Sequence, residues 1–202
     1  MTGLKLSQGP VARWGLVFLN EMMVMAMETG HFYFISDDFY QKYDTDRKLM
    51  QNKESTDSKS HRRPCFFSFP DKNERNIYWL VPISSKIEKY RKIHDSKVEK
   101  QQKRGAVAPK CHTIRFGKVM GRDTAFLIQN MFPVTGAYIV SPYIDKNTGH
   151  EVTIDPNTEK DVISSAIEVL KLTKRGMGLL FADVSEIYEG LLAELNNESQ
   201  HK

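Results

Sequence analysis

Short apolar runs separated by turn-forming residues set the rhythm of this chain, and the first clear one is His31 to Ile35. It is aromatic and branched, which predicts a strand. Ser36 stands where an N-cap belongs, with Asp37 and Asp38 opening a short helix through Tyr43. Residues 44 to 63 are polar, mixed in charge and aperiodic, and read as a mobile surface loop. Cys65 to Phe69 and Asn76 to Ile83 predict two strands of a hairpin connected through Pro70 to Arg75. Ser84 to Arg104 is helical by pattern. Its apolar stripe is Ile87, Tyr90, His94 and Val98, and Gly105 supplies the stop. Cys111 to Phe116 and Thr124 to Met131 predict strands around a turn at Met120 to Asp123. Ala137 to Val140 lies between Pro133 and Pro142, and Glu151 to Ile154 predicts a last short strand. Two amphipathic helices close the chain, one from a capping Thr158 and one over Ser185 to Leu195. The order excludes regular βαβ alternation. It predicts an α+β fold, a twisted antiparallel sheet or barrel with peripheral helices.

The first 26 residues stand apart. An apolar run from Trp14 to Leu19 follows Arg13, but Asn20 and Glu21 interrupt it and it is too short to span a bilayer. Residues 1–26 read as a dispensable extension, a short docking helix over 14 to 27 being the alternative. Residues 27–202 read as one domain, which suits a chain of this length. Cys65 and Cys111 are too few for a disulfide framework and fit reduced thiols in a cytoplasm.

Charge changes the picture more than composition does. The net charge is +4, yet Ser84 to Lys118 holds eleven basic residues against three acids, +8, so the remainder sums to −4. Such a local positive field suits a polyanion, since binding phosphates releases their counterions; a solvated helix face looks the same. The Arg62 and Arg63 pair, at the entry to a strand, can grip phosphate or form a charged strand edge; Phe66 and Phe67 could stack on bases, but read as core because alternate strand residues must face it.

Standard catalytic signatures are absent, including P-loops, nucleophile elbows and zinc-ligand spacings. What remains is Ser84, Ser85 and Lys86 at a strand-to-helix junction, where hydroxyls and an amine meet helix N–H groups. Such a junction can stabilise the phosphorane formed when the 2′-hydroxyl of RNA attacks its own phosphate, without a metal or cofactor. It can equally be a helix cap beside a solvated lysine. His94 lies on the apolar stripe and reads as packed. His112 could contact RNA, and Gln129 and Asn130 could read bases or cap a turn.

Four blocks then combine: Phe32 to Ile35, His61 to Phe66, Tyr78 to Tyr90 and Phe126 to Val134. Together they resemble the toxins of the CptIN branch of bacterial type III toxin–antitoxin systems, related to ToxN and AbiQ. The resemblance implies a metal-independent endoribonuclease with a twisted antiparallel core. It implies a small repetitive antitoxin RNA, cut into pseudoknots that bind the toxin in a protein–RNA hetero-oligomer, and cleavage that leaves a 2′,3′-cyclic phosphate. On this likeness Ser84, Ser85 and Lys86 fall on the catalytic hydroxyls and lysine, although ToxN has a proline before that lysine and this chain has none. An active-site tyrosine of ToxN falls on Phe39, with Tyr40 adjacent, and likeness to MazF-like toxins adds Arg63 as a phosphorane stabiliser. The expected RNA contacts are Tyr40, Arg62, Lys89, Arg91, Lys92, Lys97, Lys103, His112, Arg115 and Lys118, with no membrane partner. A non-catalytic RNA-binding module is the alternative.

Overall fold

A long hairpin organises the molecule. Its strands are β2 (Pro64–Pro70) and β3 (Ile77–Ser84), antiparallel in a register that sets Cys65 opposite Pro82 and Phe67 opposite Leu80. The computed structural model describes residues 27–52 and 63–200, so the expected extension lies outside the described residues. β1 (Phe32–Ile35) pairs with β2, and β7 (Ile139–Pro142) pairs with β1. On the other edge β3 has two successive partners. Its first half pairs with β6 (Phe132–Thr135), and its last two residues pair with β5 (Arg122–Phe126), which continues to β4 (Arg115–Val119). The seven-stranded sheet is antiparallel and open; it does not close into a barrel.

Alternation along the strands sends neighbouring side chains to opposite faces, and both faces are covered. Phe32, Phe66, Trp79, Val81 and Phe126 pack on one side with Val162, Ala166 and Val169 of α3 (Pro156–Lys174). Tyr33, Phe67, Leu80 and Phe132 pack on the other with Phe39 of α1 (Asp37–Tyr43) and Leu191 of α4 (Val184–Gln200). Phe66 and Phe67 are therefore core, as expected. A third cluster lies under α2 (Ile87–Lys103), where Tyr90 meets Cys111, Ile114, Ala125 and Leu127. α4 is tied to α1 by Glu194, whose carboxylate accepts bonds from Tyr43, Tyr138 and Lys42. Gly190 permits this approach, since a Cβ there would stand 2.6 Å from the Tyr43 ring.

Several boundaries differ from expectation. The run Thr124 to Met131 is not one strand: it breaks at Leu127 into a 3-10 turn over Ile128–Asn130, after which β6 begins. The break lets the chain serve both halves of β3. Cys111 to Ile114 is loop and turn, and Glu151 contributes only an isolated bridge to Ile144. α3 starts at Pro156 with Asp155 as its cap, accepting from the Asn157 and Thr158 amides, so Thr158 is not the cap. Ser36 precedes α1 without a side-chain capping bond. α2 does end as expected, with Gly105 at φ +81°. No helix among the described residues is long and apolar enough to cross a membrane.

At the outer end of the hairpin Asp71 is 5% exposed and accepts from Trp79 Nε1 (3.0 Å), the Tyr188 hydroxyl (3.0 Å) and the Asn73 amide (2.9 Å). Burial alone would raise its pKa, but these bonds outweigh it and hold the carboxyl below its usual range. A carboxyl lowered on folding contributes stability above its unfolded pKa and loses it as pH falls through the folded one. Asp71→Asn is therefore expected to destabilise the chain by about 1–3 kcal/mol at neutral pH. Urea melts at neutral pH and near pH 3 check this; a deficit that fails to shrink in acid would contradict it.

Candidate functional site

β3 carries the chain past Pro82 to Ser84, and the ladder to β5 sets Ser84 opposite Ala125. That pairing keeps Ser84 in the strand, so α2 begins three residues later than the sequence pattern suggests, with Lys86 at its N-cap. Ser84 is 8% exposed, and its Oγ accepts the Lys86 amide at 3.3 Å. It fixes the turn and does not face solvent. Ser85 and Lys86 are exposed beside it, and the Ile87 amide that opens α2 donates to the Ser85 carbonyl at 2.9 Å.

Arg63 meets this junction across the sheet. Its Nη1 donates to the Ile83 carbonyl at 3.2 Å, which sets the guanidinium beside Ser84. Its Nε is buried without a hydrogen-bond partner among the described residues. The Arg63 backbone is itself held, because its amide donates to Asn52 Oδ1 at 2.9 Å. Asn52 Nδ2 in turn donates to the Ile35 carbonyl (3.1 Å) and to Asp37 Oδ1 (2.8 Å). One amide side chain thus joins the end of β1, the start of α1 and the entry to β2.

Asn52 is the positioning residue that the sequence does not reveal. An isolated asparagine in a polar stretch carries no signal apart from its partners. The first part of the expected mobile loop is in fact anchored: Asp44 accepts from the Lys48 and Leu49 amides and from Gln51, and Leu49 is buried. Residues 53–62, Arg62 included, lie outside the described residues.

Tyr40 does not reach solvent. It is 3% exposed, and its hydroxyl lacks a hydrogen-bond partner among the described residues. Burial pushes its pKa well up, the neighbouring Cys65 thiol adds to this, and Arg63 opposes it. Burial likewise pushes Cys65 up to about 12 despite Arg63. Tyr40 therefore lies beneath the arginine, packed in the core.

The expected RNA contacts divide by what holds them. Lys97 bridges Thr113 (2.8 Å) and Gln129 (2.7 Å), and burial lowers its pKa. It is an internal strut, and Gln129, 3% exposed, is its acceptor and not a base reader. Arg115 pairs with Asp161 at 2.9 Å and donates to the Cys111 and Ile114 carbonyls. His112, half-buried beside it, has its pKa lowered by burial and by Arg115. These three serve the local fold. Lys118 pairs with Asp123 and Lys103 with Glu99, but both pairs are exposed and cost little to rearrange. Arg91 lies over the Phe116 ring at 5.2 Å, and His94 packs on the same ring. Lys89 and Lys92 are exposed and in no ion pair among the described residues.

Asn52→Ala removes three bonds at once and is expected to cost about 1–3 kcal/mol. Amide exchange at Arg63 should accelerate more than at Leu80, in the centre of the sheet. Equal acceleration at both would mean that Asn52 supports global stability alone.

No family model matches the chain, and no curated protein matches it in sequence. Its fold does match solved structures. One is AbiQ, a lactococcal anti-phage endoribonuclease of a type III toxin–antitoxin system. The two superpose with a TM-score of 0.51 at 13% identity, over 86% of this chain and 99% of AbiQ. At that identity, what the two chains share is the α+β fold.

Proposed function

We propose that this chain is an endoribonuclease toxin of the type III kind, silenced by an RNA antitoxin and close to the CptIN branch. The observation that carries the reading is the strand-to-helix junction on an AbiQ-like fold, with an arginine anchored at the residue before it. Arg63 is bonded to Ile83, while Ser85 and Lys86 stand exposed on the next turn. A phosphodiester there would receive two cationic donors, one hydroxyl and the α2 amides that follow Ile87.

The chemistry is a transesterification. The 2′-oxygen forms a bond to phosphorus as the bond to the 5′-oxygen breaks, giving a 2′,3′-cyclic phosphate. The proton of the 2′-hydroxyl ends on the departing 5′-oxygen. Lys86 and Arg63 offset the negative charge gained by the phosphorane, and Ser85 donates to one of its oxygens. Ser84 holds the turn that aims both neighbours. None of these roles calls on a metal ion. The partners are cellular RNA and a repetitive antitoxin RNA, cut by the same site into pseudoknot units that bind the protein in a hetero-oligomer. The outcome is growth arrest and phage defence in the cytoplasm.

Ser85→Ala and Lys86→Ala are each expected to lower cleavage at least about a hundredfold, the scale of losing one transition-state donor. Melting temperature should stay near that of the unaltered chain, and RNA affinity should fall far less than cleavage. Cleavage should persist in EDTA and yield cyclic-phosphate ends. RNA that is bound but left intact by the unaltered chain would favour a non-catalytic RNA-binding module. Full activity in both variants would overturn the site.

A further inference from the structure

The surface of α2 is segregated by charge. At about 100° per residue, Glu88, Asp95 and Glu99 fall within a sector of roughly 40°, together with Arg91 and Gln102 at its edge. Lys89, Lys92, Lys100 and Lys103 fall within the adjoining sector of roughly 80°, with Ser96 the one uncharged member. All of these side chains are exposed. The remaining face, with Tyr90, Ile93, Lys97 and Val98, is turned to the protein. Arg91 lies over Phe116 of β4, so the acidic sector borders the β4–β5 hairpin and the lysine sector faces away from it.

We infer that the lysine sector is a docking track for one strand of RNA that leaves the proposed cleavage site along α2. This rests on the reading of the Ser85–Lys86 junction as a phosphate site, which it extends. The track is continuous with that junction, because Lys86 is the N-cap of the same helix and Lys89 stands one turn further on. From Lys86 to Lys100 it runs about 21 Å at 1.5 Å per residue, a length that a handful of nucleotides covers. The neighbouring acids select the occupant. A duplex laid on the lysines would bring its second strand of phosphates over Glu88, Asp95 and Glu99, where like charges repel. A single strand follows the lysines alone. Lys97 and Arg115, though basic, belong to neither sector, since internal partners hold them.

The test uses the full chain and fluorescent 2′-O-methyl oligouridylate, which lacks the attacking hydroxyl and is not cut. The same strand annealed to 2′-O-methyl oligoadenylate serves as the duplex. The triple variant Lys89→Gln, Lys92→Gln, Lys100→Gln should bind the single strand about tenfold or more weakly. Its salt dependence should flatten by about 2, at roughly 0.7 per phosphate contact. Substitutions at such exposed positions leave stability almost unchanged, which a melt verifies. The variant Glu88→Gln, Asp95→Asn, Glu99→Gln should instead gain affinity for the duplex. Unaltered single-strand affinity in the lysine variant, or tighter duplex than single-strand binding by the natural chain, overturns the track. If the natural chain still cuts RNA in that case, the proposed activity survives without it. Failure to bind or cut RNA at all removes both.

Discussion

β3 must satisfy two rows of backbone hydrogen bonds over eight residues, and no neighbour on its second edge is long enough to do so alone. β6 takes the first half and β5 the end, with the Ile128–Asn130 turn between them. The division sends β5 and β4 off along a separate part of the sheet and leaves room for α2 beneath it. It also brings the chain to the surface just past Ser84, at Ser85 and Lys86, where it turns into α2. The proposed chemistry is located by this hydrogen-bond accounting before any side chain is considered.

Electrostatics then sorts the basic residues. The +8 carried between Ser84 and Lys118 is not one uniform field, because burial and local partners remove several cations from use. Lys97 has given up much of its hydration for two oxygens, and an ammonium held so is committed. Lys118 and Lys103 keep theirs and hold carboxylates loosely at the surface. Sequence charge alone cannot separate these states.

The sequence was legible where local rules agree. β1 to β3 are bounded by turn residues, and Phe66 and Phe67 are core as expected, although alternation alone turns only one of the two towards a single core. The stop of α2 at Gly105 follows from its freedom at positive φ. Other features depend on partners distant in the chain. Nothing in Thr124 to Val134 says where one strand yields to the next, since the break answers the length of β3. Asp155 before Pro156 was readable as a cap followed by proline at the first helical position, although Thr158 offered a competing pattern. The proposed site stands in the sequence as the Ser84 to Lys86 junction. Its attachment to Arg63 was readable only as an analogy, and Asn52 not at all, because their geometry exists across the sheet.

The Asn52 bridge has an evolutionary corollary. It fastens Asn52 to Arg63, the two ends of a ten-residue stretch of sequence. Doubling the number of residues in a loop adds only about 0.6 kcal/mol of closure entropy, and this bridge fixes both ends. A chain with a longer, shorter or recomposed stretch there would thus still lead into β2 from the same anchored residue.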